Sequence, residues 1–573
     1  MRMRCKRWSW AAVVLSAALL AGCAAPSAGG QAAVPPDGMQ ESSDLDTASM
    51  EVNALPESGE LFSDTDREIG YEESTTAVIA LDDGGSSCDS DSVLISGSTV
   101  TIGEGGTYLL RGSLSDGQII VSADEKDNIH LILDGASVQC SGSAALYVAE
   151  ADKVVVTLVK DTENSLGASG TFAASDEANI DAAVFSRADL TFNGEGSLTV
   201  SCDTGHGIVS KDDLVVISGQ YAVTASGHAL SGKDSVRIAG GDFALAAGTD
   251  GIHAENADDP SLGYLCITDG SFSIQSASDG LDAASALEIR GGSLTIAAGD
   301  DGIHSDGDLI LSGGVTGITE SVEGIEGMRV AVSGGEITLF ASDDGVNAAS
   351  PDASGDTMRT VSDCWIKISG GRLEIDATGD GIDSNGDLLV TGGETYVAGP
   401  VSGGESALDY SGSAVITGGV FAAAGSSGMA MNFGASSTQA AFLVTVTQGS
   451  SGGTVTVTDA SGTELLGWSC EKSFDSLLFS CPELTVGEIC TVTVGDQSLS
   501  VELTDTITGS GGMGGFGGGQ RGDRGVRPGE MPEDPSRGMD GERTPRQWDE
   551  DGEMPGTPPD GTAPRDMEAW KEG

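Results

Sequence analysis

Between His206 and Asp409 the chain returns nine times to one four-residue pattern, and at most returns the first and fourth positions carry a carboxylate or an imidazole. The series runs His206-Gly-Ile-Val209, His228-Ala-Leu-Ser231, Asp250-Gly-Ile-His253, Asp279-Gly-Leu-Asp282, Asp301-Gly-Ile-His304, Glu323-Gly-Ile-Glu326, Asp344-Gly-Val-Asn347, Asp380-Gly-Ile-Asp383 and Ser406-Ala-Leu-Asp409. Successive first positions are 22, 22, 29, 22, 22, 21, 36 and 26 residues apart. A period near 22 with insertions demands a stacked repeat, because a unit this short can bury its apolar face only against its neighbours.

Each repeat also carries an alternating apolar run that enters paired glycines and leaves as a second run. Examples are Val236-Arg-Ile-Ala-Gly240-Gly241-Asp-Phe-Ala-Leu245 and Leu287-Glu-Ile-Arg-Gly291-Gly292-Ser-Leu-Thr-Ile296. Alternation at period two gives one buried and one solvated face, and the glycine pair supplies a corner with positive φ. Helical periodicity is absent, and the unit is too short for a propeller blade. The expectation is an all-β chain built as a parallel β-helix solenoid, with three short strands and three corners per rung.

The coil is expected over 77–435. Residues 436–506 lose the glycine rhythm and read as a small antiparallel β module that caps the coil's open end. Residues 507–573, rich in Gly, Pro and charge, read as a disordered tail, and 23–76 as a flexible acidic linker. Residues 1–22 read as a signal peptide, with a basic start, an apolar run and Leu20-Ala-Gly-Cys23 at its end. That ending resembles the lipobox of bacterial lipoproteins, which makes Cys23 the lipid-bearing residue. The expected location is the outer face of a bacterial cell membrane, reached by export and held by lipid. The eight other mature cysteines show no CxxC pair and read as core residues, with one bridge in the C-terminal group left open.

With 27 basic against 88 acidic residues, the formal charge of −61 disfavours nucleic acid and favours cations. In a parallel coil, equivalent residues lie about 4.8 Å apart. Unit charges at that spacing repel by about 1 kcal/mol in water and about 3.5 kcal/mol at an effective dielectric of 20. A column of acids therefore needs compensation, and calcium supplies it through oxygen ligands at about 2.3–2.6 Å. The candidate ligands are Asp250, Asp279, Asp282, Asp300, Asp301, Glu323, Glu326, Asp343, Asp344, Asp380 and Asp383, with Asp279/Asp282, Glu323/Glu326 and Asp380/Asp383 as the best pairs. His253 and His304 weaken calcium locally, since imidazole suits transition metals.

The insertions after His253 and Asn347 leave the same corner, so two loops are expected to wall a trough floored by Asp282, His304 and Glu326. Lys211 and Lys233 occupy equivalent places and are expected to pair with Asp212 and Asp234.

The repeated Asp-Gly-Ile motif, the Gly-Gly corners, the lipoprotein-type signal and the glycine-rich tail together resemble a family of secreted bacterial carbohydrate-binding proteins. That family is related to pectate lyases of the polysaccharide lyase 9 type. The resemblance covers about 90 to 505. It implies a calcium-containing, right-handed parallel β-helix that binds cellulose or an acidic, pectin-like polysaccharide without cleaving it, as a monomer. Two other readings stay open: a calcium-dependent lyase, for which no base can be named, and a rigid adhesin or rod.

Overall fold

A computed structural model describes residues 50–52, 55–172, 179–351, 361, 363–449 and 453–509. The expected signal, Cys23 and nearly all of the tail lie outside the described residues. The described chain is almost entirely β, with a single helical turn at Ser58–Leu61.

Most strands join one large sheet in which each strand pairs in parallel with its equivalent about 22 residues later, and the pairings form three columns. The first column runs through Leu146–Glu150, Ala182–Ser186, His206–Ser210, Leu230–Gly232, Ile252–Ala254 and Leu281–Ala283. It continues through Ile303–Leu311, Ile325–Val332, Val346–Ala348, Ile382–Ser384 and Asp409–Tyr410. The second includes Asp213–Val216, Ser235–Ile238, Tyr264–Ile267 and Ala286–Ile289. The third includes Gln220–Ala225, Asp242–Ala247, Ser271–Ser276 and Ser293–Ala297. Inward residues of all three columns form one continuous apolar core. Within it the aligned rings of Tyr221, Phe243 and Phe272 stack at 5.1 and 4.6 Å. The glycine pairs behave as the sequence demands: Gly241, Gly292 and Gly371 have φ of 126°, 91° and 79°.

The columns end where Val420–Gly425 pairs antiparallel with Phe474–Ser480, which in turn pairs with Ala441–Gly449. A separate four-stranded antiparallel sheet holds Gly453–Thr458, Glu464–Cys470, Ile489–Val494 and Gln497–Glu502. Its core side packs on Ala398, Ala422 and Ala424 of the third column, where side chains are small enough to admit it. All eight described cysteines are free, so the C-terminal bridge is not formed.

The sequence reads 23–76 as a flexible linker, but its described part lies along the outer face of the second column. Met50 is buried with Trp365, Leu389 and Val415, and Leu61 and Phe62 are buried with Val215 and Cys266. Polar ties lie between these anchors. Lys367 Nζ donates to Met50 O at 3.0 Å, Arg290 Nη2 to Leu55 O at 2.8 Å, and Arg237 Nη1 to Leu61 O at 2.8 Å. The buried Asp66 carboxylate accepts from Lys153 Nζ and Thr191 Oγ1, each at 2.7 Å. The segment is a strap, because apolar residues recur along it wherever it meets an apolar outward position.

Candidate functional site

The four-residue motif leads into each first-column strand from His206–Ser210 to Asp409–Tyr410. Its third residue points inward, and Leu230, Ile252, Leu281, Ile303, Ile325, Val346 and Ile382 stack in register inside the core. Its fourth residue faces outward. The register aligns Val209, Ser231, His253, Asp282, His304, Glu326, Asn347, Asp383 and Asp409 in one line, as the spacing predicts.

The second-position glycine answers to space. Its N–H donates to the first-position carbonyl of the next rung, as in Gly280 to Asp301 and Gly302 to Glu323, each at 2.9 Å. A Cβ on Gly345 would lie 2.4 Å from Ile375 Cγ2 and 2.5 Å from Gly381 O. The first-position side chain has a task of its own: it receives the N–H that opens the next corner. Asp279 Oδ1 accepts from Asp301 N at 2.9 Å, Asp344 Oδ1 from Asp380 N at 2.6 Å, and His206 Nδ1 from His228 N at 2.9 Å. One oxygen of these carboxylates is thereby committed and its rotamer fixed, while the other stays available.

Four groups result, each offering three ligand atoms within 4.8 Å of one another: His228/Asp250/His253, Asp279/Asp282/His304, Asp301/Glu323/Glu326 and Asp344/Asp380/Asp383. Two of the expected residues, Asp300 and Asp343, are exposed and fall outside these groups. The pair Asp279/Asp282 is not a purely oxygen site, since His304 Nδ1 lies 2.9 Å from Asp282 Oδ1.

The histidine end has a different character. The rings of His206, His228 and His253 stack at 4.6 and 4.2 Å with 7° between planes. Asp250 Oδ2 lies 2.9 Å from His228 Nδ1 and 3.2 Å from His253 Nδ1, and Asp282 Oδ2 lies 2.8 Å from His253 Nδ1. Asp250 Oδ2 thus stands within reach of both stacked rings, and this group forms a hydrogen-bonded chain of imidazoles and carboxylates. Burial opposes charge on His253, but Asp250 and Asp282 outweigh it and hold the ring up at about 10. Burial pulls His206 down to about 4, helped by His228.

Further along, acids outnumber the nearby imidazole, His304. Burial, followed by Glu323 and Asp279, pushes Asp301 up to about 7. Burial and Glu323 push Glu326 to about 9, and burial with Asp344 and Asp383 pushes Asp380 to about 8. Asn347 donates from Nδ2 to Glu323 Oε2 at 2.9 Å, while its buried Oδ1 has no hydrogen-bond partner. An orphaned acceptor is costly unless a donor or a cation meets it.

The first inserted loop folds back onto the preceding rung. Asn256 Nδ2 donates to Asp234 Oδ1 and Lys233 Nζ to Asp258 Oδ2, both at 2.6 Å. It therefore walls a cavity of about 330 Å³ at the histidine end, beside His206, His228, His253, Lys211 and Lys233. Lys233 thus pairs with Asp258 rather than Asp234, because the loop brings the more exposed acid to it, and Lys211 lies over the Phe185 ring at 5.5 Å. This cavity was not legible in the sequence; its only signal was the adjacent pair His206 and His228. Most of the second inserted loop, 352–360 and 362, lies outside the described residues, so the trough's far wall does too. Among the described residues, Tyr221 is core and Trp365 is covered by Met50, so neither offers a stacking platform.

Comparison with known proteins gives consistent descriptions. A family model described as "Carbohydrate-binding domain-containing protein" matches residues 96–301 and 297–461. A protein of that same description from Acetivibrio thermocellus is 31% identical over 137 residues, 24% of this chain and 48% of that protein, so the match spans about half of the relative's length. A solved structure described as the polysaccharide lyase-like protein from C. thermocellum, gadolinium derivative, is 31% identical, with a TM-score of 0.40 over 41% of this chain and 96% of that one. The family model spans more than half of the 573 residues, and the chain belongs to the family of carbohydrate-binding domain-containing proteins.

Proposed function

We propose that this protein binds an acidic, pectin-like polysaccharide without cleaving it, on a right-handed parallel β-helix whose corner acids hold calcium. The observation that carries the reading is the pair of all-oxygen groups, Asp301/Glu323/Glu326 and Asp344/Asp380/Asp383, in one outward line with the unpartnered Asn347 Oδ1 between them. Calcium takes six to eight oxygens from carboxylates, amide carbonyls and water in flexible geometry. These residues fit it, and a divalent ion would relieve the repulsion that holds their protons on. Ions with water-filled positions facing outward can share ligands with sugar carboxylates. The scarcity of exposed aromatic rings favours such a glycan over a flat cellulose surface, which is held by stacking.

A lyase needs a base beside the metal. The lysines near the column, Lys211 and Lys233, lie at the histidine end, and neither borders an all-oxygen group. The polysaccharide would meet the protein outside the cell, on a lipoprotein tethered through Cys23. Incubation with polygalacturonate, with and without chelator, tests the function. Calcium-dependent retention without unsaturated product is the expected result. Release of unsaturated uronates would make the protein a lyase, and equal retention in chelator would remove calcium from the binding site.

A further inference from the structure

We propose that Asp279, Asp282 and His304 form a site for a divalent first-row transition ion, of which Zn2+ is the representative. One ligand atom from each lies within 4.8 Å of the others, and the two carboxylates are each held by a partner outside the set. Asp279 Oδ1 accepts the Asp301 N–H at 2.9 Å, which orients the carboxylate and leaves its second oxygen. Asp282 Oδ2 lies 2.8 Å from His253 Nδ1, so that Oδ1 is turned to His304 Nδ1 at 2.9 Å. Behind the His304 ring, Nε2 faces Asp306 Oδ1 at 3.9 Å.

At that distance Asp306 makes no hydrogen bond to the ring, but it stands on the side from which carboxylates orient metal-bound imidazoles. The same placement recurs one rung earlier, where Glu255 Oε2 lies 3.5 Å from His253 Nε2. His304 also stands apart from the stacked rings. Asp282 stands between it and His253, so its Nδ1 is directed at carboxylates rather than lying beside a second imidazole. One imidazole with two carboxylates suits zinc or its neighbours, whereas calcium prefers oxygen throughout. The column would then sort ions by chemistry, a transition ion at the Asp282 rungs and calcium at the rungs beyond. The transition-ion site itself requires neither polysaccharide binding nor the calcium reading.

The full-length protein, stripped with chelator and returned to saturating Ca2+, is titrated calorimetrically with Zn2+, and with Co2+ for its visible absorption. The expected result is one Zn2+ per chain retained against calcium, with that stoichiometric step abolished in His304→Ala. In Asp282→Asn, which removes one carboxylate charge and keeps the side chain's shape, Zn2+ binding should weaken markedly. Melting in Ca2+ checks that both variants are folded. The proposal fails if calcium fully displaces Zn2+, or if His304→Ala, or should it not fold, Asp282→Asn, binds Zn2+ as the wild type does. Either result would leave Asp282 and His304 as an ion pair only.

Discussion

At the scale of single residues, the corner motif does two jobs that the spelling Asp-Gly conceals. The glycine sits where a neighbouring carbonyl and an aliphatic branch leave no room for Cβ. Gly345→Ala should therefore force a local shift against Ile375 and Gly381 O and cost about 1–3 kcal/mol by overpacking; chemical denaturation in the presence of calcium measures it, and an unchanged midpoint would show that the corner gives easily. The carboxylates carry a pH signature. Asp301, Asp344 and Asp380 are pushed up to about 7, 7 and 8, chiefly by burial and then by neighbouring acids. Over the range from about 4 to about 8, the folded chain thus holds protons that the unfolded chain has lost. Stability must fall with rising pH through that window. Melting of chelated protein should show a decline between about pH 4 and about pH 8, in the sense the shifted values give. Calcium, which replaces those protons as the neutralising charge, should flatten it. A chelated protein whose melting is insensitive to pH would mean that the acids are already neutralised by something else.

At the scale of elements, the strap is a second-column component rather than a leader to it. Phe62 is buried with Leu61, Val215 and Cys266, and Phe62→Ala should cost about 3–5 kcal/mol. Hydrogen exchange should rise first in Asp213–Val216 and Tyr264–Ile267, beneath the lost ring; a uniform increase across all three columns would argue against a local brace. This element also marks the limit of what the sequence discloses. The corner column was legible residue by residue, because a repeat of 22 aligns equivalent positions without knowledge of long-range contacts. His253, Asp282, His304 and Glu326 sit in the predicted order for that reason. The strap, the backward fold of the first inserted loop and the seat of the C-terminal sheet on Ala398, Ala422 and Ala424 were not legible. Each depends on complementarity between segments far apart in sequence, and none repeats. The strap's composition is polar because its anchors are few, and average composition hides five large apolar residues, Met50, Val52, Leu55, Leu61 and Phe62, spread over 13 positions.

At the scale of the whole chain, a charge of −61 would be expected to respond mainly to ionic strength, but its placement makes a distinction possible. Salt screens over about 10 Å at 0.1 M, so acids spread over the surface are relieved by NaCl, whereas acids one strand spacing apart, about 4.8 Å, are relieved only in part. In a stacked repeat, stability is roughly a sum of local unit and interface terms, so losing an ion should loosen the rungs that shared it more than distant ones. Removing calcium should therefore reduce exchange protection in Ile325–Val332, Val346–Ala348 and Ile382–Ser384, which carry the all-oxygen groups. Leu146–Glu150 and Ala182–Ser186, which precede the acidic corners, should keep theirs. Adding NaCl to the chelated protein should recover only part of the lost protection, and calcium should recover all of it. If NaCl and calcium prove equivalent, the column acts as diffuse charge and the ladder holds no specific ion. If protection falls equally in every rung, the repeat unfolds as one cooperative unit and the corner acids do not set local stability.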